Sequence, residues 1–394
     1  MSGRGRRGPS GRRLAAWSAA GLAASALLAL GVLCATAGCT SVGYLAQQAS
    51  GQVALMTARR PVAAVVADPA TSAPLRERLQ LSQRLRDFAV HELALPDNDS
   101  YRRYADLHRP AAVWNVVAAP ELSLQARTWC FPVVGCVGYR GYFELAAAEA
   151  AAAPLRAEGL EVAVYPVPAY STLGWFDWWG GDPLLSSFIG WPEGELARLM
   201  FHELSHQVAY AAGDTPFNES YATAVERLGG ARWMATRADA RTRTQQAQLE
   251  ARRADFLALV RRHRAALDAI YRSTRSDEDK RQAKAAQMAA LRSDYATLKA
   301  TRWGGFDGYD RWFAQANNAT LATQSAYDRW VPAFEALFHA QGDDFARFHA
   351  EVKRLAALPA AQREAALLAA MPASPVVAET PVVPAVAAAS APAP

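Results

Sequence analysis

The amino-acid sequence predicts a predominantly helical α+β protein with a small mixed sheet. Two features indicate the helices: apolar residues recur at helical spacing around residues 196–208, and residues 231–300 combine this spacing with a composition rich in Arg, Ala, Gln, Glu and Lys. One feature indicates the sheet, because valines alternate with other residues between Leu160 and Val167. The helical segments are longer and more numerous, so we expect helices to form the framework.

The first 38 residues are predicted to be a signal peptide. Five arginines and no acidic residue lie within residues 1–13, and an uncharged apolar stretch follows. Thr36-Ala37-Gly38-Cys39 resembles a lipobox, which predicts cleavage before Cys39 and lipidation of that cysteine. Cleavage without lipid and an uncleaved anchor are the alternatives, since the apolar stretch is long enough to span a bilayer. With Thr40 after the cysteine, the resemblance implies a lipid-anchored protein of the outer membrane that faces the periplasm.

The charge of the chain argues against a nucleic-acid partner. The full sequence carries 42 Lys and Arg against 37 Asp and Glu, but five of the arginines belong to the predicted signal peptide. The remaining chain therefore has equal numbers of basic and acidic side chains. We expect no basic surface of the kind that nucleic-acid binding requires.

Two of the four cysteines, Cys130 and Cys136, lie in the expected folded body. An exported protein meets an oxidising environment, and the intervening residues include Pro132 and Gly135, which favour a small closed loop. A disulfide between the two cysteines is therefore predicted. A metal site and a pair of free buried thiols are the alternatives, although the spacing is not the CxxC of a zinc site.

The motif His202-Glu203-Leu204-Ser205-His206 carries the functional interpretation. Residues i and i+4 share a face of a helix, so His202 and His206 can bind one Zn²⁺ while Glu203 points at its water. Glu203 is then the expected general base. The alternative is a structural pair of buried histidines, which would need other polar partners.

A catalytic zinc ion needs a third protein ligand. A metzincin would have Gly and His at the positions of Ala209 and Ala212, so that class is excluded.

The segment Asn218-Glu219-Ser220-Tyr221-Ala222 resembles the NExxA segment of gluzincins. The resemblance implies that Glu219, on an antiparallel second helix, is the third ligand. It also implies that Glu226 accepts a hydrogen bond from a ligand imidazole. Asp214 is the rival ligand, and Glu219 could also be only an acidic residue that the first turn of a helix favours.

Further segments are similar to a bacterial lipoprotein family of aminopeptidases. The matching stretches are 40–44, 51–52, 130–136, 139–143, 169–175, 182–185 and 317–319. The resemblance implies a zinc-dependent peptidase of the cell envelope, with a zincin-like catalytic core and one Zn²⁺. Zinc peptidases lay an edge strand along the cleft, where an extended substrate adds as another strand. Residues 161–173 are either that edge strand or a strand of the core.

The domain organisation is predicted from these segments and from changes in composition. A capping-box signal at Ser276 and Asp279 indicates a hairpin of two long helices that turns near residues 273–277. This hairpin is either a solvated buttress or a partner-binding arm. The predicted ranges are 1–38 for the signal peptide, 39–60 for a lipid-proximal segment, 61–230 for the zinc peptidase core, 231–300 for the hairpin, 301–371 for a C-terminal helical part that completes the core, and 372–394 for a disordered Ala/Pro-rich tail.

The predicted function is hydrolysis of peptide bonds, with a peptide or protein as substrate and the membrane as the partner of the lipid anchor. Tyr327 is the candidate donor to the oxyanion, and Tyr309 and Tyr170 are its alternatives. No residue can be assigned as the acidic anchor that an aminopeptidase needs for a free α-amino group. An envelope endopeptidase, or a non-catalytic lipoprotein with a structural zinc and a partner-binding arm, therefore remains an alternative.

Overall fold

The computed structural model describes residues 39–131, 135–169, 181–323 and 329–372. The predicted signal peptide, the candidate oxyanion donor Tyr327, its alternative Tyr170 and the tail from residue 373 lie outside the described residues. The side chain of Cys39, at the start of the first helix, is also outside them. Within the described ranges, no helix combines the length and the apolar character that crossing a membrane requires.

The predominantly helical α+β class is confirmed, since long helices alternate with short strands. The helices are α1 (Cys39–Thr57), α2 (Val62–Ala67), α3 (Ala73–Leu93), α4 (Leu145–Ala157), α5 (Glu193–Ser205), α6 (Thr215–Thr236), α7 (Ala240–Arg272), α8 (Asp277–Thr301), α9 (Asp310–Gln315), α10 (Asn318–Thr323), α11 (Val331–Ala340), α12 (Phe345–Ala356) and α13 (Ala360–Ala370). The strands are β1 (Arg60–Pro61), β2 (Arg103–Ala105), β3 (Val113–Ala119), β4 (Trp129–Phe131), β5 (Gly135–Val137), β6 (Arg140–Tyr142), β7 (Glu161–Val167) and β8 (Leu184–Leu185).

The longest strands form an antiparallel sheet in the order β6-β3-β7. Every residue of β3 is buried, which agrees with its central place and its valine-rich sequence. The strand predicted at residues 160–167 is present as β7, and it lies at an edge of this sheet, paired with β3 from Val113–Val167 to Ala119–Glu161. The other strands form a mixed sheet β1-β2-β8 and the hairpin β4-β5.

The largest hydrophobic core holds α5 and α6 side by side and surrounds them with α3 and α11 to α13. Phe201, Phe217 and Tyr221 are fully buried in it. Gly229 of α6 faces Leu93 and Phe201, and a Cβ added there would come within 2.7 Å of the Leu93 side chain. A larger residue at this position would therefore displace the Leu93 and Phe201 side chains.

The helices α7 and α8 form the hairpin that the sequence predicts. Ser276 caps α8, where its Oγ accepts a hydrogen bond from the Asp279 N–H at 3.1 Å. A second core joins the hairpin to residues 303–321. In this core the Tyr295 and Phe313 rings stack with centroids 3.9 Å apart. One face of the hairpin is therefore packed against the rest of the chain.

The predicted disulfide is present. Cys130 and Cys136 lie opposite each other in the β4-β5 hairpin, and their sulfurs are bonded. Three residues after Cys136, Tyr139 lies in the short connection to β6. Tyr139 therefore follows the disulfide-bonded hairpin directly in the chain.

Candidate metal centre

Helix α5 carries the HExxH motif. Its buried face consists of Leu196, Met200 and Leu204, as the apolar spacing predicts. The helix ends at Ser205, so His206 is its C-cap, but His206 keeps a helical backbone with φ −60° and ψ −23°. The i, i+4 relation between the two histidines is therefore preserved, and both rings lie on one side of the helix.

The connection from α5 to α6 is short and tightly bonded. The side chain of Asn218, 2% exposed, accepts from the Ala211 N–H at 2.8 Å and donates to the Ala211 carbonyl at 2.9 Å. Gly213 has φ +77°, a value that favours glycine. The helix begins at Thr215, one turn before Glu219. The loop and the Asn218 amide together turn the Glu219 face of α6 toward the histidines.

Three donor atoms converge between α5 and α6. His202 Nε2 lies 3.3 Å from His206 Nε2, and Glu219 carboxylate oxygens lie 3.4 Å from His202 Nε2 and 3.8 Å from His206 Nε2. Ligands of a tetrahedral zinc ion with bonds of about 2.0–2.1 Å are about 3.3–3.4 Å apart. The spacing of the three donors therefore fits a zinc ion, and among the described residues these three side chains form the group that could hold one.

Asp214, the rival third ligand, has a different role. Its Oδ1 accepts from the Phe217 N–H at 3.1 Å and so caps α6. Its Oδ2 is 2.8 Å from the guanidinium of Arg363. Because both oxygens are engaged away from the histidine pair, Asp214 is not part of the converging group.

A chain of polar contacts begins at Nδ1 of His202, the ring nitrogen that does not belong to the converging group. Its Nδ1 is 3.1 Å from Glu226 Oε2, the contact that the gluzincin resemblance implies. Glu226 Oε1 accepts from Arg198 Nε at 2.8 Å, and Arg198 Nη1 lies 3.3 Å from Glu250 Oε1 on α7. With Nδ1–H donating to Glu226, Nε2 is the His202 nitrogen that faces the converging group.

His206 is supported differently. Its Nδ1 is buried and has no hydrogen-bond partner among the residues that the structure describes. Zinc-binding imidazoles usually donate this second nitrogen to an acceptor. The centre is therefore asymmetric, with one ligand oriented by a polar chain and the other by packing.

The pKa values of the two histidines are shifted in opposite directions. Burial opposes a charge on His202, but its contacts with Glu219 and Glu226 raise its pKa to about 10. Burial and the neighbouring charge of His202 lower the pKa of His206 to about 4. In the absence of a metal, the centre thus keeps one positive charge among its carboxylates. The carboxylates that raise the pKa of His202 would equally favour a metal cation in place of its proton.

The surroundings also shift the pKa values of the carboxylates Glu203 and Glu226 in opposite directions. Burial raises the pKa of Glu203 to about 7. For Glu226, burial acts in the same direction, but contacts with His202 and Arg198 outweigh it and lower its pKa to about 2. Glu226 therefore stays ionised as an acceptor, whereas Glu203 can exchange a proton near neutral pH.

Three residues near this centre escaped the sequence analysis. Arg198, only 8% exposed, lies one turn before His202 on the same helix, and a cation in an apolar helix was the available signal. Glu250 reaches Arg198 from 52 residues away, and no sequence pattern points to it. Tyr139 lies near Glu219, whose charge, after burial, contributes to raising the tyrosine pKa to about 12.

Of the predicted oxyanion donors, only Tyr309 lies within the described residues. Tyr170 and Tyr327 are outside the described residues. Tyr309 stacks on Phe256 in the hairpin core, with ring centroids 4.5 Å apart. Tyr309 therefore serves the second core.

Comparison with known proteins places these observations in a family. The family profile described as Putative aminopeptidase matches residues 43–367, which covers most of the chain. Neither a curated protein nor a solved structure shows a significant match. The matched range contains the three converging donors, Glu203 and the disulfide. This protein belongs to the Putative aminopeptidase family.

Proposed function

We propose that this protein is a zinc-dependent aminopeptidase of the bacterial cell envelope. One observation carries the proposal: the ring nitrogens of His202 and His206 and the carboxylate of Glu219 meet within 3.3–3.8 Å. Glu203 lies between the two histidines in sequence, as the general base of an HExxH peptidase does. The family supplies the expectation that the substrate has a free amino terminus.

Each residue of the centre has a defined task in this proposal. His202 and His206 would hold zinc through Nε2, and Glu219 through a carboxylate oxygen. Bound zinc would polarise the substrate carbonyl and lower the pKa of a water molecule to about 7. Glu203 takes a proton from the attacking water and passes it to the nitrogen of the departing amine. Glu226, held by Arg198, keeps His202 in the tautomer that binds metal.

A metal analysis paired with Glu203→Gln tests the proposal. We expect about one zinc per chain in both proteins, and a loss of turnover of about 10²- to 10⁴-fold in the variant, because only the proton transfer is removed. Glu364→Gln, an exposed change of the same chemistry on α13, is the control and should keep full activity. A wild-type protein that takes up no zinc, or a variant with undiminished activity, would refute the proposal.

Paired substrates test the aminopeptidase specificity. Aminoacyl substrates with a free amino group should be hydrolysed, and internally quenched peptides with a blocked amino terminus should not. Cleavage of the blocked peptides alone would instead establish an endopeptidase. Zinc binding without cleavage of either kind would leave only a structural role for the metal.

The envelope location is supported by the signal peptide and lipobox of the sequence, and a disulfide is compatible with an oxidising compartment. We propose that lipid on Cys39 anchors the mature protein in the outer membrane, facing the periplasm. Radiolabelled fatty acid should enter the wild-type protein and not Cys39→Ala. Equal labelling of the two proteins would contradict lipidation at this cysteine.

A further inference from the structure

A cleft of about 610 Å³ is lined by residues of the disulfide hairpin, of α7 and of the start of α6. Thr215 lines this cleft, and Thr215 and Glu219 lie one turn apart on the same face of α6. Tyr139 lines it as well, and the charge of Glu219 acts on the Tyr139 hydroxyl. The cleft therefore borders the side of the centre on which Glu219 lies.

The opposite wall of the cleft is the last part of α7. Among the described residues that line it, the charged ones are Arg264, Asp268 and Arg272. Their spacing of four residues places them on one face of the helix. The three together carry one net positive charge. The rest of the lining includes residues 122–126, Val137 and Tyr165, so the cleft offers apolar surface beside this charged stripe.

The order of the charges in the stripe determines what the cleft can bind. Asp268 lies between two arginines, and Arg272 Nε is 3.0 Å from its Oδ2. A substrate ammonium group would have to approach Asp268 beside two positive charges. A carboxylate meets the planar guanidinium groups, whose paired N–H donors match its two oxygens. The stripe therefore favours an anionic group over a cationic one.

The two arginines differ in their surroundings. Arg264 is half-buried, and its Nη1 donates to the carbonyl of Leu321, which holds the side chain against α10. The Arg272 side chain is 79% exposed at the mouth of the cleft. A carboxylate beside Arg264 is less screened by water than one beside Arg272. We therefore expect Arg264 to contribute more than Arg272 to recognition of the bound carboxylate. Arg272 is expected to attract the substrate to the cleft.

We propose that this cleft selects peptide substrates that carry a carboxylate, with Arg264 and Arg272 as its recognition residues. The inference rests on the proposed peptidase function and adds a substrate class to it. The carboxylate can come from the C terminus of a short peptide or from an acidic side chain. Both sources offer the same chemistry to the guanidinium groups.

Four alanine-based tetrapeptides separate the two sources. They carry aspartate or asparagine at the third position, and each is made as a C-terminal acid and as a C-terminal amide. The neutral peptide is the one with asparagine and a C-terminal amide. We expect kcat/KM to be about 10- to 100-fold higher for the peptide with the preferred carboxylate than for this neutral peptide, which is the range of a charge-assisted hydrogen bond. Dependence on the C-terminal acid identifies the first source, and dependence on aspartate the second.

Variants assign the preference to the arginines. Arg264→Gln should remove most of the preference, so that kcat/KM for the carboxylate peptides falls toward that of the peptide with asparagine and a C-terminal amide. Arg272→Gln should give a smaller loss, and because this side chain is exposed, the variant is expected to fold. Arg241→Gln, an exposed arginine near the start of the same helix, is the matched control. Equal turnover of all four peptides, or a preference that survives both changes, would overturn the proposal.

Binding measurements keep this test separate from that of the peptidase function. The same four peptides are titrated by calorimetry into Glu203→Gln, which retains the cleft. Carboxylate-dependent binding without turnover by the wild-type protein would support the cleft and refute the hydrolase. Turnover of the neutral peptide without carboxylate-dependent binding would support the hydrolase and refute the cleft.

Discussion

The metal centre and the hairpin core use opposite means to hold helices together. Between α5 and α6, the buried side chains of His206 and Arg198 contact the partly buried carboxylates of Glu219 and Glu226. Between α8 and α9, aromatic rings stack, as Tyr295 and Phe313 do at 3.9 Å. Buried charges cost desolvation energy and are tolerated when each is paired, whereas stacked rings stabilise mainly by burying apolar surface. Charge is thus buried where the chemistry needs it.

The two regions are connected by side chains of α7. Arg198 contacts Glu250, and the guanidinium of Arg253 is paired with Glu195 of α5. A Cβ added at Gly194 would overlap the Gln246 side chain, so α5 approaches α7 closely there. The hairpin therefore supplies part of the polar support of the metal centre, in addition to any partner-binding role.

Glu219→Ala should give the largest expected effect, a loss of zinc affinity. This effect should be confined to the metal centre. Removing a ligand leaves two imidazoles, so we expect zinc affinity to fall by more than the about 10- to 100-fold of an outer-shell change. Competition with a chelating dye measures this affinity. The unfolding of the metal-free protein should change much less. A variant that retains one tightly bound zinc would show that Glu219 is not a ligand.

Phe313→Ala should show the opposite pattern. Phe313 is 1% exposed, and its loss should lower the free energy of unfolding by about 3–5 kcal/mol, because a cavity replaces the ring. Urea unfolding measures this change, with the exposed Leu368→Ala as the control. Zinc affinity of the folded variant should remain that of the wild type. A large loss of affinity would mean that the two regions are not energetically distinct.

Arg198→Gln tests the connection between the regions. Glu226 would lose its buried cation, so we expect zinc affinity to fall about 10- to 100-fold through the loosened His202 ring. Glu250→Gln should have a smaller effect, since the Glu250 side chain is 50% exposed and its contact with Arg198 is 3.3 Å. Zinc affinity and the unfolding of the metal-free protein are measured for both. Equal affinities in all three proteins would exclude a positioning role for Arg198.

Acid should destabilise the metal-centre region through His349. This histidine is 4% exposed, its Nδ1 is 2.8 Å from the Tyr221 hydroxyl and its Nε2 is 2.8 Å from the Leu93 carbonyl. Burial, opposed by the Leu93 contact and aided by the charge of Lys353, lowers its pKa to about 4 from the usual 6.5. The unfolded chain therefore binds a proton first, and stability present above pH 6.5 is lost as the pH falls toward 4.

The expected loss is about 1.4 kcal/mol per pH unit within this window. Other groups of the centre also titrate, so the measurement is the difference between the wild type and His349→Gln, both without metal. The variant should lose less stability between pH 6.5 and 4. Parallel pH profiles for the two proteins would assign the acid sensitivity to other groups.

The sequence predicted local features well, because each of these features depends on residues of a single helix or strand. The pairing of His202 with His206 follows from helical spacing, the start of α8 from the Ser276 cap, and the strand at Leu160–Val167 from alternation. The choice between Glu219 and Asp214 was harder. It depends on the loop that Asn218 bonds and on Arg363, which comes 149 residues after Asp214.

The sequence by itself thus determined the helical class, the HExxH pair, the candidate general base and the cysteines able to form a disulfide. Only the tertiary structure decided that Arg198 meets Glu250 and that Arg264 and Arg272 line the cleft near Glu219. It also decided that His202 has a polar partner at Nδ1 while His206 has none among the described residues. The physical reason is that spacing along one helix fixes which residues share a face. Which faces meet depends on packing between elements that are distant in the chain.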